Sequence, residues 1–152
     1  MGFTGSLNGG KALLDIISGR EEPVPFYGEL SSVNPVVVTP SAARAHGTDI
    51  GTGLTASFTP GPGQLCTKPG FVLVPDNADG STLVQSAVDE LAAATDHVLL
   101  NESIYDSYTK ATTEYAQRGD VTIHTAPDAT GAGYHVAPAL LEVGIDDLDA
   151  SL

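Results

Sequence analysis

One cysteine, no tryptophan and only six basic residues stand out in this chain of 152 residues. A single cysteine excludes an intramolecular disulfide framework and a cysteine-based zinc site. Set beside a short apolar run, Cys66 reads as a small buried hydrophobe rather than a reactive thiol. No stretch approaches the ~18 apolar residues of a membrane span. The N-terminus has no basic segment followed by an apolar run, so no secretory leader is expected.

The shortage of basic residues sets the charge. Nineteen acids face six bases, for a net charge of −13. Residues 1–75 hold five acids and four bases, whereas residues 76–152 hold fourteen acids and two bases. A field of this sign repels phosphate, which excludes free nucleic acid and anionic membrane as partners. Only three of the bases are lysines. An acid-rich, lysine-poor surface fits a high-salt environment.

Turn formers are plentiful, with 17 Gly and 10 Pro. They favour β structure joined by loops. Residues 62–125 alternate short apolar runs with turns, as in Phe71–Val74, Val98–Leu100 and Val121–Thr125. The expected fold is mainly β with a few short helices: a small β-barrel or sandwich-like domain with an extended N-terminal arm. The arm and attachment segment is residues 1–40, and the compact β-rich domain is residues 41–152. A short helix is expected over Lys11–Ser18, capped by Asn8 and stopped by Gly19. Further helices are expected at Ser41–His46, Ser86–Ala94 and Pro138–Val143. Leu54–Thr59 alternates like an edge strand. Gln64–Cys66 and Phe71–Val74 read as one hairpin, and Thr112–Ala116 with Val121–Thr125 as another. Tyr105–Thr113 suits either a helix face or a strand. Asp146–Asp149 reads as an acidic tail.

Few residues carry recognisable chemistry. Gly5–Ala12 matches the phosphate-cradling pattern GxxxxGK, but Ala12 stands where a Ser or Thr must ligate magnesium. Only four residues precede Gly5, too few for the strand that such a loop needs, so a flexible arm explains the glycines. Asp76–Ser81 resembles a calcium loop, but its glycine comes fifth rather than sixth, and an Asx-type turn accounts for it. His124 and His135 could converge, with Asp120 or Asp128 nearby, but no two of the four histidines show metal-ligand spacing. Arg118-Gly119-Asp120 reads as a turn. No hydrolase elbow is present. No catalytic residue, cofactor or metal site is therefore expected. The apolar groups of the arm, Phe3, Leu7, Leu13, Leu14, Ile16, Ile17, Phe26 and Tyr27, are the expected partner interface.

Five short patterns lie between Pro62 and Ile145: Pro62-Gly-Gln-Leu-Cys-Thr, Lys68-Pro-Gly-Phe-Val-Leu-Val, His97-Val-Leu-Leu-Asn-Glu, Tyr115-Ala-Gln-Arg-Gly-Asp-Val and Ala139-Leu-Leu-Glu-Val-Gly-Ile. In them the chain resembles the head decoration (capsid cement) proteins of tailed phages and related viruses. The resemblance implies a non-enzymatic β-rich homotrimer on the outer surface of a virion. Its partner would be the major capsid protein lattice, which it would stabilise by mass action and avidity. An acidic chain would suit the virus of a halophilic host. The alternatives are a tail component, or a small module that binds a metal ion or carbohydrate through Asp76–Asp79 or through His124 and His135.

Overall fold

The computed structural model describes residues 1–148. Of these, 45% are helical and 19% lie in strands. The chain is thus an α/β structure, not a β-barrel or sandwich. Glycine and proline content misleads here because many of these residues cap or join helices rather than hairpins.

The first forty residues are folded, not an extended arm. Strand β1 (Gly2–Gly5) leads into helix α1 (Leu7–Ser18) and returns as β2 (Tyr27–Leu30), which pairs with β1 in parallel. Ser6 rather than Asn8 caps α1, its hydroxyl accepting the Gly9 N–H at 3.1 Å. Gly19 closes the helix as expected, its N–H reaching the Asp15 carbonyl. Gly10 is costly inside a helix, yet the Leu30 side chain occupies the space that its Cβ would need. Helix and strand therefore pack more closely than any larger residue allows.

A second unit of the same kind follows. Strand β3 (Pro35–Val37) runs into the long helix α2 (Pro40–Phe58), and β4 (Phe71–Leu73) returns parallel to β3. Residues 1–40 and the rest of the chain meet through this pairing. Thr39 caps α2 and Pro40 sits in its first turn, where a missing N–H costs nothing. Gly47 does not end this helix. The helix kinks at His46 and continues through Leu54–Phe58, the segment expected as an edge strand. The expected hairpin of Gln64–Cys66 with Phe71–Val74 is likewise absent, because β4 takes β3 as its partner across the α2 crossover. Local alternation was outweighed by long-range pairing.

Helix α3 (Ala78–Ala92) starts within Asp76–Ser81, the segment whose sequence resembles a calcium loop. Asn77 caps it, accepting the N–H groups of Asp79 at 3.0 Å and Gly80 at 3.1 Å. After β5 (His97–Val98) comes α4 (Glu102–Ala116), capped by Asn101, which absorbs the segment expected to begin the last hairpin. Strand β6 (Val121–Thr125) pairs antiparallel with β8 (Ala139–Val143), and β5 pairs with β7 (His135–Val136). Pro138–Val143 is therefore a strand, not a helix, because β6 satisfies its backbone groups. Of the expected tail, Asp149 lies outside the described residues.

The core is organised by α2 against α3. Ala43, Gly47, Gly51 and Thr55 recur every fourth residue on α2 and are all buried. They face Leu83 and Ala87, which are fully buried on α3. The Thr55 hydroxyl donates to the Ala87 carbonyl at 2.8 Å. One apolar cluster, Val38, Ala43 and Leu83, lies towards the start of both helices, and another, Phe58, Leu91 and Ala126, towards their ends. The small residues of α2 permit this close approach: a Cβ on Gly51 would overlap the Leu83 carbonyl, whereas one on Gly53 would meet nothing. Gly51→Ala should therefore destabilise the chain by about 1–3 kcal/mol. Gly53→Ala should stabilise it by up to about 1 kcal/mol. Urea unfolding of both variants checks this; equal effects would contradict the close approach.

Candidate functional site

The two parallel units meet at a short strap, residues 31–34. Ser31 and Asn34 have φ of 60° and 46°, in the left-handed region that non-glycine residues enter at a cost. Such strain persists only where surrounding contacts hold it. The contacts are specific. The Ser31 N–H donates to the Gly5 carbonyl at 3.0 Å, tying the strap to the end of β1. The Asn34 side-chain amide donates to the Cys66 carbonyl at 2.7 Å and to the Lys68 carbonyl at 3.0 Å. The Gly70 N–H donates to the Val33 carbonyl at 2.7 Å.

These bonds fix the loop of residues 59–70, which carries the chain's one cysteine. The loop turns through Gly61 and Gly63, whose φ values of +62° and +68° favour glycine. The Lys68 N–H closes a tight turn on the Leu65 carbonyl at 3.1 Å, leaving Cys66 and Thr67 at its corner. Cys66 is exposed, not buried as expected from its apolar neighbours. The legible signal was its place between two Pro-Gly turns, which marks a loop rather than a strand.

The start of α1 lies at the same end of β1 and β2 as the strap. A strand does precede the glycine-rich segment, contrary to expectation, and Ser6 caps the helix behind it. Among the described residues the N–H groups of Leu7 and Asn8 have no partner, and a helix start of this kind favours anions. Strand β2, which feeds the strap, carries Glu29 on its exposed edge. Residues 23–48 contain no other acid.

The residues expected as a partner interface are distributed over this first unit. Ile17 is buried in it; Phe3, Leu13 and Phe26 are half-buried. The Phe3 ring lies against Gly5 and Gly9, and the Phe26 ring against Gly28. Leu7, Leu14, Ile16 and Tyr27 are exposed.

The histidines do not converge. His124 Nε2 meets Glu142 at 3.0 Å, while His135 Nδ1 meets Asp96 at 3.2 Å. Neither pairs with Asp120 or Asp128 as considered; Asp120 pairs with Arg118 within its turn. No group of three potential metal ligands occurs among the described residues. Asp96 also accepts the N–H groups of Thr130 and Gly131, at 3.0 and 3.4 Å. The Thr130 N–H above all, with Gly131 and His135, holds its carboxyl below the usual carboxylate range, against the opposing effect of partial desolvation. The stability so contributed is present above the ordinary carboxylate pKa and is lost as pH falls through the depressed value. Amide exchange at Thr130 and Gly131 should therefore stay protected at neutral pH and open on acidification, ahead of the α2–α3 core. Asp96→Asn, whose amide oxygen still accepts these N–H groups but does not titrate, should remove the pH dependence of their protection.

No family model matches the chain. It is 40% identical over 144 residues to alpha-ketoglutaric semialdehyde dehydrogenase 2 of Azospirillum brasilense, covering 95% of this chain and 27% of that protein. It is 41% identical over 107 residues to alpha-ketoglutaric semialdehyde dehydrogenase of Acinetobacter baylyi, covering 70% of this chain and 20% of that protein. The chain thus spans about a quarter of the length of these curated relatives. A solved structure of a variant of proline utilization A from Bradyrhizobium japonicum shares the fold, with a TM-score of 0.76 and 14% identity, over 93% of this chain and 15% of that one. These likenesses overturn the resemblance to capsid decoration proteins, whose short patterns fall on the loop before β4, on short strands of separate sheets and at the two ends of α4. With it fall the non-enzymatic trimer, the capsid lattice as partner and the virion surface as location. The small metal- or carbohydrate-binding module falls too. The sequence is similar to a stretch of two dehydrogenases named for alpha-ketoglutaric semialdehyde, over 95% of its length to one and over 70% to the other.

Proposed function

We propose that this chain forms part of the catalytic region of an aldehyde dehydrogenase acting on alpha-ketoglutaric semialdehyde or a close analogue. The observation that carries this reading is the 40% identity to the Azospirillum protein across 95% of the chain. The geometry around Cys66 supports it.

An aldehyde carbon is trigonal and yields its hydrogen as hydride only after a nucleophile has made it tetrahedral. The one thiol of the chain is suited to that addition: exposed, on a loop held by Asn34 rather than packed in a core. Cys66 Sγ adds to the carbonyl carbon and gives a thiohemiacetal. Departure of its hydrogen as hydride leaves a thioester on Cys66. Water attacks the thioester, the acid leaves, and the thiolate is restored. The sum is aldehyde, water and oxidised acceptor giving acid, reduced acceptor and a proton.

A nicotinamide dinucleotide, when bound, would accept the hydride. The parallel β1–α1–β2 unit fits the phosphates of such a group, with the N–H groups of the exposed residues Leu7 and Asn8 at the start of α1 to receive them. Ala12 is no obstacle, because this mode of binding needs no magnesium ligand. Water attack on the thioester needs a base. Glu29 is the group for this role, as the one acid on the strand that runs into the Asn34 strap.

In the protein that carries this chain, Cys66→Ala should lower the rate of acid formation from alpha-ketoglutaric semialdehyde at least about a thousandfold. Glu29→Gln should slow turnover about a hundredfold or more, while Cys66 still reacts with iodoacetamide. Oxidation that persists in Cys66→Ala would refute the assignment.

A further inference from the structure

Six cations serve the whole chain, and their pairing is uneven. Arg44 meets Asp79, Lys110 meets Glu114 and Arg118 meets Asp120. Among the described residues Lys11, Arg20 and Lys68 have no carboxylate partner. Lys11 and Arg20 are exposed, where water solvates an ammonium or guanidinium freely. Lys68 is half-buried, and it lies two residues from Cys66. Its stem lies against Gly63 of the same loop. Its backbone is held at both ends, by its N–H to Leu65 and by Asn34 on its carbonyl.

A half-buried, unpaired ammonium is unusual in a chain with net charge −13, where acids are available to pair it. We infer that Lys68 receives the carboxylate of the substrate whose aldehyde reacts at Cys66, and so selects semialdehydes of oxo acids over uncharged aldehydes. This inference rests on the dehydrogenase reading of the same loop. The reach fits: two residues separate the Cα atoms by at most about 7 Å, and a five-carbon semialdehyde carries its carboxylate at the end opposite the aldehyde. The charge distribution fits as well. An anionic substrate is repelled by residues 76–152, which hold fourteen acids, while Cys66 lies in the nearly neutral residues 1–75. A local cation beside the thiol offsets the long-range repulsion where the substrate docks.

Alkylation of Cys66 tests this without requiring turnover. The thiolate displaces iodide from either iodoacetate or iodoacetamide, forming a C–S bond and releasing the thiol proton to solvent. The two reagents differ mainly in the carboxylate. The ratio of the iodoacetate rate to the iodoacetamide rate should fall about fivefold in Lys68→Met. It should be largely retained in Lys68→Arg, be unmoved in Lys110→Met, and shrink with added salt in the parent protein. In turnover, kcat/KM for alpha-ketoglutaric semialdehyde should fall about 10- to 100-fold in Lys68→Met, with butanal little affected. An unchanged alkylation ratio, or equal losses for the two aldehydes, overturns the role of Lys68 and leaves the dehydrogenase reading standing. A parent protein that oxidises neither aldehyde, yet loses its iodoacetate preference in Lys68→Met, sinks the dehydrogenase reading and keeps Lys68 as a carboxylate-binding group beside Cys66. Lys68→Gln, which keeps much of the stem, replaces Lys68→Met if the latter fails to fold.

Discussion

The close approach of α2 and α3 is the constraint on which the rest of the structure depends. Four small or short residues, Ala43, Gly47, Gly51 and Thr55, form one stripe, and Leu83 and Ala87 lie against it. Helix α2 is also the crossover of the β3–β4 unit, so its position sets where β4 begins and where the loop before β4 must run. Cys66 stands on that loop. A backbone clash at Gly51 would therefore be felt well away from the helix seam, at the thiol.

The strap of residues 31–34 joins this scaffold to the proposed site. It is the only stretch bonded both to the end of β1 and to the Cys66 loop among the hydrogen bonds of the described residues. The start of α1, Glu29 and Cys66 come from three different elements, yet the strap links all three. Its two left-handed residues store strain at the junction of two parallel units. In parallel α/β folds ligands bind at such junctions, because loops and helix starts converge there.

Part of this was legible in the sequence. The helix over Lys11–Ser18 and the Asx-type turn within Asp76–Ser81 follow from local signals, and each has its counterpart, in α1 and in the Asn77 cap of α3. Helix α2 was not legible as one piece, because Gly47, Gly51 and Gly53 depress helix propensity. Their value lies in contact with a helix some thirty residues further along, which no local window contains. The same holds for Pro138–Val143, where β6 decides the outcome. Cys66 was misjudged from its apolar neighbours, although the flanking Pro-Gly turns pointed to exposure. Asn34 carried no signal at all, since its role appears only when β3 and β4 pair.

Asn34 is followed by Pro35. Asparagine side chains age by cyclising onto the backbone nitrogen of the next residue, a route that requires an N–H. Proline has none. The amide that holds Cys66 and Lys68 in place is thus shielded from deamidation by its own neighbour. Were it to become a carboxylate, it would lose both donated hydrogen bonds and set a negative charge against two carbonyl oxygens. The durability of the thiol loop is in this sense written into a dipeptide.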